Sequence, residues 1–203
     1  MKKDLEKFAR EIKKKLDKKD HKREVSLPLC RKVVRLSSES IRAIHRLEKE
    51  KSERIIKEAE DVLRKAQKAL KSFPDLYNAG YLQSAEKEYV EAVITFSLIN
   101  KERLPSPEKL KVGYAEYLTG MAEAIGELRR HLLDQLRKGK EEEGEKVLEI
   151  MDDLYYFLID FDYPGAILHS LRHYLDTCRS LLEKSRADIT SAICQKRLRE
   201  SLK

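Results

Sequence analysis

The sequence predicts an all-α protein: one antiparallel bundle of about six to seven helices, forming a single domain over residues 1–203. Three observations favour this class. Apolar residues recur at helical spacing along most of the chain, no useful stretch alternates with period two, and only 5 Pro and 7 Gly interrupt 203 residues. Charged residues make up 39% of the chain, which is typical of long solvated helices. The length suits one domain with a substantial core.

The first third is expected to contain two helices. The first covers residues 4–19 and is followed by a charged loop, KKLDKKDHKRE, before Pro28 restarts the chain. The second is expected to run from about Leu29 to Leu70, where Ser72-Phe73-Pro74-Asp75 breaks it. One face of the first helix is apolar, with Leu5, Phe8, Ile12 and Leu16.

Four further helices are expected in the rest of the chain. They cover residues 83 to about 100, 114–137, 147–159 and about 164–199. The connection KERLPSPEKL should be barred from helix by its two prolines, and RKGKEEEGEK should form a polar turn. The last helix is longer than a small core can cover, so its outer part is expected to pack against another copy of the chain.

Charge is distributed unevenly along the chain. Residues 1–71 hold 24 Lys and Arg against 13 Asp and Glu, a formal charge of +11, whereas residues 72–203 hold 19 against 23, a charge of −4. This asymmetry indicates an anionic partner bound on one side, or, alternatively, a solvated lysine-rich surface. There is no apolar leader and no run of 18 apolar residues, and the 3 cysteines are scattered. A cytoplasmic protein with reduced thiols and no membrane association is therefore expected.

Four arginines form a ladder on one face of the expected second helix. At 100° and 1.5 Å per residue they lie within a sector of about 60° and span about 22 Å. The guanidinium fork binds phosphate through two parallel hydrogen bonds, so the arginine ladder is a candidate site for the nucleic-acid backbone. The same face would equally serve ion pairs with acids of a neighbouring subunit. The ladder consists of Arg31, Arg35, Arg42 and Arg46.

Two pairs of carboxylates lie on otherwise apolar helices. Glu88 and Glu91 are one turn apart on the helix QSAEKEYVEAVITF, and Glu123 and Glu127 are one turn apart on the next long helix. Buried carboxylates are costly unless they are paired, hydrogen-bonded or bound to metal. Either a cation binds here, or basic partners reach in, or the first helix is less buried than its pattern indicates. If the two helices are antiparallel neighbours, the four carboxylates can converge.

An oxygen-only ligand set favours a hard cation, magnesium or alternatively manganese. Such an ion beside an arginine-rich surface would act on a phosphodiester, activating water and steadying the leaving oxygen. The histidines on arginine- and tyrosine-rich helices, His45, His169 and His173, are interpreted as packing or surface residues.

At these residues the sequence resembles the translin/TRAX family, the TRAX branch more than the translin branch. The resemblance rests on LSSESIRAIHR, AGYLQSAEKEYVEAVITF, YLTGMAEAIGELRR and DYPGAILHSLRHYLDTCRSLLEKS. It implies an all-α fold, a closed homo-oligomer of the octamer type, binding of RNA (single- or double-stranded) and of single-stranded DNA, and magnesium-dependent endoribonuclease activity. The family's acidic motifs fall on Glu88, Glu91, Glu123 and Glu127, which would then be both metal ligands and catalytic residues. Glu123 stands where TRAX usually has Asp, which lengthens that side chain by one methylene.

Three functional hypotheses follow from these features. The first is a homo-oligomeric, metal-dependent endoribonuclease that assembles without a translin partner. The second is an RNA- or single-stranded-DNA-binding oligomer without catalysis, which the Glu at position 123 favours. The third is a helical structural protein whose basic face pairs with acids.

Overall fold

The fold is built from six long helices and three single-turn helices in the part of the chain that the structure, a computed structural model, describes: residues 1–168 and 171–202. The long helices are α1 (Lys2–His45), α2 (Lys49–Leu70), α4 (Tyr81–Ile99), α6 (Tyr114–Arg137), α7 (Glu141–Ile159) and α9 (Leu171–Ser201). The single turns are α3 (Pro74–Tyr77), α5 (Pro107–Leu110) and α8 (Gly165–Leu168). The all-α bundle and the number of long helices are as predicted.

Helix α1 runs without interruption where the sequence was interpreted as a helix, a charged loop and a restart; that prediction was wrong. Lysine, aspartate and glutamate are ordinary helix formers, so a charge run alone does not end a helix. Pro28 lies inside α1. Because proline has no backbone N–H, the Glu24 carbonyl lacks its usual hydrogen-bond donor within the helix. This is tolerated because Glu24 is exposed and water can donate to that oxygen.

The predicted continuous helix from Leu29 to Leu70 is also wrong, because the chain turns at residues 46–48. Leu47 adopts a left-handed conformation with φ 60°. The Glu48 amide donates to the Ala43 carbonyl at 3.0 Å, which closes the end of α1. Neither Gly nor Pro marks this turn, so the sequence carries no conventional signal for it.

Smaller corrections concern the connections. Pro107 does not bar helix, since it occupies the first turn of α5, where its missing amide hydrogen is not needed. Helix α7 begins at Glu141, inside the predicted polar turn, and acidic residues in its first turn suit the helix dipole.

Helices α4 and α6 pack closely and run in the same direction, which corrects the expected antiparallel pairing of these two. Gly113 at the start of α6 donates its backbone amide hydrogen to Glu86 near the start of α4. Two turns later a side chain on Gly120 would come within 2.6 Å of the Lys87 carbonyl oxygen and 2.8 Å of Val90, so only glycine permits this approach. The 14-residue connection, residues 100–113, is long enough to return the chain to the start of α4.

The core lies along α4 and α6, which are covered by α1 and α2 on one side and by α7 and α9 on the other. Its largest fully buried side chains include Tyr89, Ile94, Ile125, Leu128 and Leu132. Within the described ranges, no helix is both long enough and apolar enough to cross a membrane.

Candidate metal and RNA site

Three of the four predicted carboxylates converge where α4 lies against α6. These residues are Glu88, Glu91 and Glu123. One carboxylate oxygen from each lies within 4.8 Å of a carboxylate oxygen of the other two residues. We call these three residues the carboxylate cluster. Both acidic pairs lie near the middle of their helices, so they meet although the helices run parallel. The cluster opens on a cavity of about 360 Å³, bordered also by Gly126 and by Tyr174 of α9.

Burial and mutual repulsion raise the proton affinity of the cluster. Burial above all, and then the neighbouring charges of Glu123, Glu88 and Glu127, raise the pKa of Glu91 to about 8. Burial, followed by the charge of Glu123, likewise raises the pKa of Glu88 above its ordinary value. Metal-free Glu91 therefore holds a proton at neutral pH.

The structure contains a basic partner that sequence reasoning missed. Lys87 Nζ donates to Glu123 Oε1 at 2.7 Å and lies 3.9 Å from a Glu88 oxygen. It also contacts the Tyr174 hydroxyl at 3.4 Å. Burial lowers the pKa of Lys87, but the bond to Glu123 and the charge of that residue outweigh this and raise it. In the sequence Lys87 directly precedes Glu88, one of the predicted ligands, and that adjacency was the available signal.

The cluster nevertheless has the composition of a hard-cation site. Glu123 Oε2 is buried and has no hydrogen-bond partner, which leaves one strong acceptor unsatisfied beside two further carboxylates. Oxygens on opposite sides of Mg²⁺ lie about 4.2 Å apart, so a spread of up to 4.8 Å needs only small side-chain rotations. The three carboxylates therefore fit Mg²⁺ or Mn²⁺.

Glu127, the fourth predicted ligand, is held differently from the other three. Its Oε2 is 2.5 Å from Nε2 of His45, whose side chain is only 5% exposed, and 3.7 Å from the Arg130 guanidinium. The interpretation of His45 as a packing or surface residue missed this contact, for which the sequence gives no local signal because the partners are 82 residues apart. His173 borders the cavity, and His169 lies outside the described residues.

The arginine ladder is exposed at all four positions, Arg31, Arg35, Arg42 and Arg46. The first three lie on α1 and Arg46 follows its last residue. His45, in the same final turn of α1 as Arg42, contacts Glu127, so the C-terminal end of the ladder is tied to the helix that carries Glu123 and Glu127.

The chain is similar to known proteins over most of its length. No protein-family model matches the sequence. The uncharacterized protein MJ0175 of Methanocaldococcus jannaschii is 34% identical over 190 residues, which are 93% of this chain and 84% of the relative. Among solved structures, AfC3PO alone and AfC3PO in a complex with duplex RNA each match with a TM-score of 0.86 and 32% identity, over 92% of this chain and 97% of theirs. The apo form of NeC3PO shares the fold, with a TM-score of 0.82 and 24% identity over 91% of this chain and 96% of its own.

Proposed function

The chain belongs to the translin/TRAX family, and from this premise we propose that it is a homo-oligomeric, metal-dependent endoribonuclease. The observation that carries the proposal is the convergence of Glu88, Glu91 and Glu123 around an unsatisfied carboxylate oxygen. Mg²⁺, or Mn²⁺ in its place, is the proposed ion. The proposed assembly is a closed octamer of the family type.

RNA is the proposed substrate, and the AfC3PO complex with duplex RNA supports a double-stranded one. The arginine ladder is proposed to hold the phosphates of one strand, as exposed guanidinium groups at helical spacing can do. Single-stranded RNA and single-stranded DNA carry the same phosphates and would bind on the same track.

The residues have separate proposed roles in phosphodiester hydrolysis. Glu88, Glu91 and Glu123 hold the ion, and His45 fixes Glu127 beside them. The ion supplies Lewis-acid chemistry for the attack of water on phosphorus. The bond to the 3′ oxygen breaks, so the products carry 5′-phosphate and 3′-hydroxyl ends. Lys87 is positioned to stay near the reacting phosphate as a second positive charge.

The second candidate function is RNA or single-stranded-DNA binding without catalysis. Lys87 favours it, because its ammonium group already neutralises part of the cluster. Glu123 in place of the family's Asp favours it as well, since the longer side chain changes where the oxygen lies.

Cleavage of end-labelled RNA separates the two candidates. The wild-type protein should cut duplex or single-stranded RNA with Mg²⁺ and not with EDTA. Glu123→Gln should reduce the rate by a factor on the order of 10³, because it removes a charged ligand without changing the shape of the side chain. Glu142→Gln, an exposed carboxylate in the first turn of α7, is the matched control and should cut normally. RNA binding without cutting would establish the second candidate. Undiminished cleavage by a Glu123→Ala, Glu127→Ala protein would show that the carboxylate cluster does not take part in the hydrolysis.

A further inference from the structure

The N-terminal arm, residues 1–24, is an amphipathic half-helix with almost no partner inside its own chain. Leu5, Phe8, Ile12 and Leu16 fall within about 80° of one another around α1 and are 54–59% exposed. The arm is tied to the rest of the chain by an ion pair of Lys19 with Asp75 and by the approach of Lys18 to the Phe73 ring. A solvated helix of this length is only marginally stable, so a surface covering the apolar stripe would stabilise it.

A second exposed apolar surface lies at the end of α7 and on α8. It is formed by large side chains that are 40–60% exposed: Tyr156, Phe157, Ile159, Tyr163 and Ile167. Together these exceed the scattered apolar residues usual on a protein surface. We call this surface the α7–α8 face.

The two surfaces carry opposite charge. The arm has 11 Lys and Arg against 6 Asp and Glu, a formal charge of +5. Residues 147–168 contain five acids and neither Lys nor Arg, a formal charge of −5. Asp152 is paired with Arg186, and Arg172 and Arg179 border the cavity at Ile159 and Tyr163, so the free acidic charge lies on the Tyr156 side of α7. Glu149, Asp153 and Asp160 lie on that side, whereas Lys13 and Lys15 flank the stripe on the arm. Both charge and apolar character are therefore complementary.

We propose that the N-terminal arm of one copy of this chain docks on the α7–α8 face of a second copy. The apolar stripe supplies helix-in-groove anchors at i, i+3, i+7 and i+11, and the flanking charges set partner and orientation. Pairing of two arms with each other is disfavoured, because each carries +5. The contact is heterologous, so repetition around a closing rotation produces a ring. This inference rests on the self-assembly part of the proposed function and is independent of the metal chemistry.

The test compares two variants of the full chain by sedimentation velocity at micromolar concentration. The arm variant carries Phe8→Ser and Ile12→Ser, and the face variant carries Tyr156→Ser and Phe157→Ser. Each should lose at least half of the wild-type mass while the bundle stays folded, with no more helical circular dichroism lost than the 24-residue arm contributes, since all four side chains are exposed. Tyr114→Ser, at a 67% exposed tyrosine on α6, is the control and should keep the wild-type mass.

Mixing the two variants gives the decisive result. The arm variant retains an intact face and the face variant an intact arm, so the mixture should form a complex containing both chains. Reversing charge with Lys13→Glu and Lys15→Glu should weaken assembly, and adding Asp153→Lys and Asp160→Lys to the same chain should restore it.

Four results would overturn the docking. Unchanged mass in both variants would exclude these surfaces as the contact. Loss of assembly in the arm variant alone would indicate arm–arm pairing. Arm-dependent binding of the wild-type protein to phosphatidylserine vesicles, with unchanged mass in the variants, would identify a lipid surface as the occupant. A monomeric wild-type protein would refute both self-assembly and docking, whereas a failed cleavage assay would leave the docking result intact.

Discussion

The carboxylate cluster and the arginine ladder are both groups of like charge, yet the fold treats them differently: the ladder lies along one helix, whereas the cluster joins two. The ladder projects from one face of α1 into solvent. The cluster is half-buried between two helices, and its charge is partly neutralised by Lys87. Burial raises the pKa of Glu91 and leaves one oxygen of Glu123 without a hydrogen-bond partner. An exposed row of charge can attract a ligand, whereas a half-buried row can bind an ion tightly enough for chemistry.

The largest expected effect on the cleavage rate comes from substitutions in the site, and its size should differ between Glu123 and Glu127. Glu123 belongs to the converging three, whereas Glu127 is held by His45. Glu127→Gln and His45→Ala should therefore reduce cleavage by about 10- to 100-fold, against about 10³ for Glu123→Gln. Single-turnover rates at saturating Mg²⁺ measure this. Equal losses of cleavage rate in all three variants would show that Glu127 binds the ion directly, as Glu123 is proposed to do.

The raised pKa of Glu91 should make the metal-free protein less stable as pH rises. The folded state keeps the proton up to about pH 8, whereas the unfolded chain releases it near pH 4.5, the ordinary pKa of a glutamate side chain. The folded state thus binds more protons over this interval, and the free energy of unfolding falls as pH increases from 5 to 8. The Tm should drop by about 10 °C across that range in EDTA.

The Glu91→Gln variant is the control for this effect. It should lack most of the decrease and be more stable than the wild-type protein at pH 8, because no carboxylate then needs to ionise in the half-buried site. A parallel decline of Tm with pH in both proteins would assign the effect to other groups.

Removing Lys87 should favour the cation. Lys87→Met keeps the aliphatic stem and removes the ammonium group that pairs with Glu123 at 2.7 Å. Mn²⁺ affinity, measured by electron paramagnetic resonance, should increase about tenfold, consistent with roughly 1.4 kcal/mol for a partly buried pair. The rate at saturating metal should fall if Lys87 faces the reacting phosphate. Unchanged Mn²⁺ affinity would mean that Lys87 does not compete with the ion.

The smallest effects are expected from the ladder. Arg42→Ala should weaken RNA binding about three- to tenfold. In an Arg42→Ala, Arg46→Ala protein, the slope of log Kd against the logarithm of the salt concentration should decrease by about 2, because two phosphate contacts are lost. Arg197→Ala, at an exposed position near the end of α9, is the control. A full salt slope in the double variant would show that RNA does not follow the ladder.

The same contrast explains what could be predicted from the sequence. The ladder depends on one helix, so helical spacing alone predicts it, and α6 has the predicted bounds Tyr114–Arg137. The convergence of Glu88, Glu91 and Glu123 was predictable because both helices are apolar elsewhere and must pack together. The parallel direction of α4 and α6 was not, since the connection between them permits either. The contact of His45 with Glu127 depends on tertiary packing alone.

The central claim is that the carboxylate cluster binds a divalent cation through Glu91, and proton release tests it most directly. Isothermal titration of the metal-free protein with Mn²⁺ at pH 6.5, in buffers of different ionisation enthalpy, counts the protons displaced. Because the pKa of Glu91 is about 8, close to one proton should leave for each ion bound, and Glu91→Gln should abolish that release. Binding without proton release, or binding unaffected by Glu91→Gln, would contradict the account.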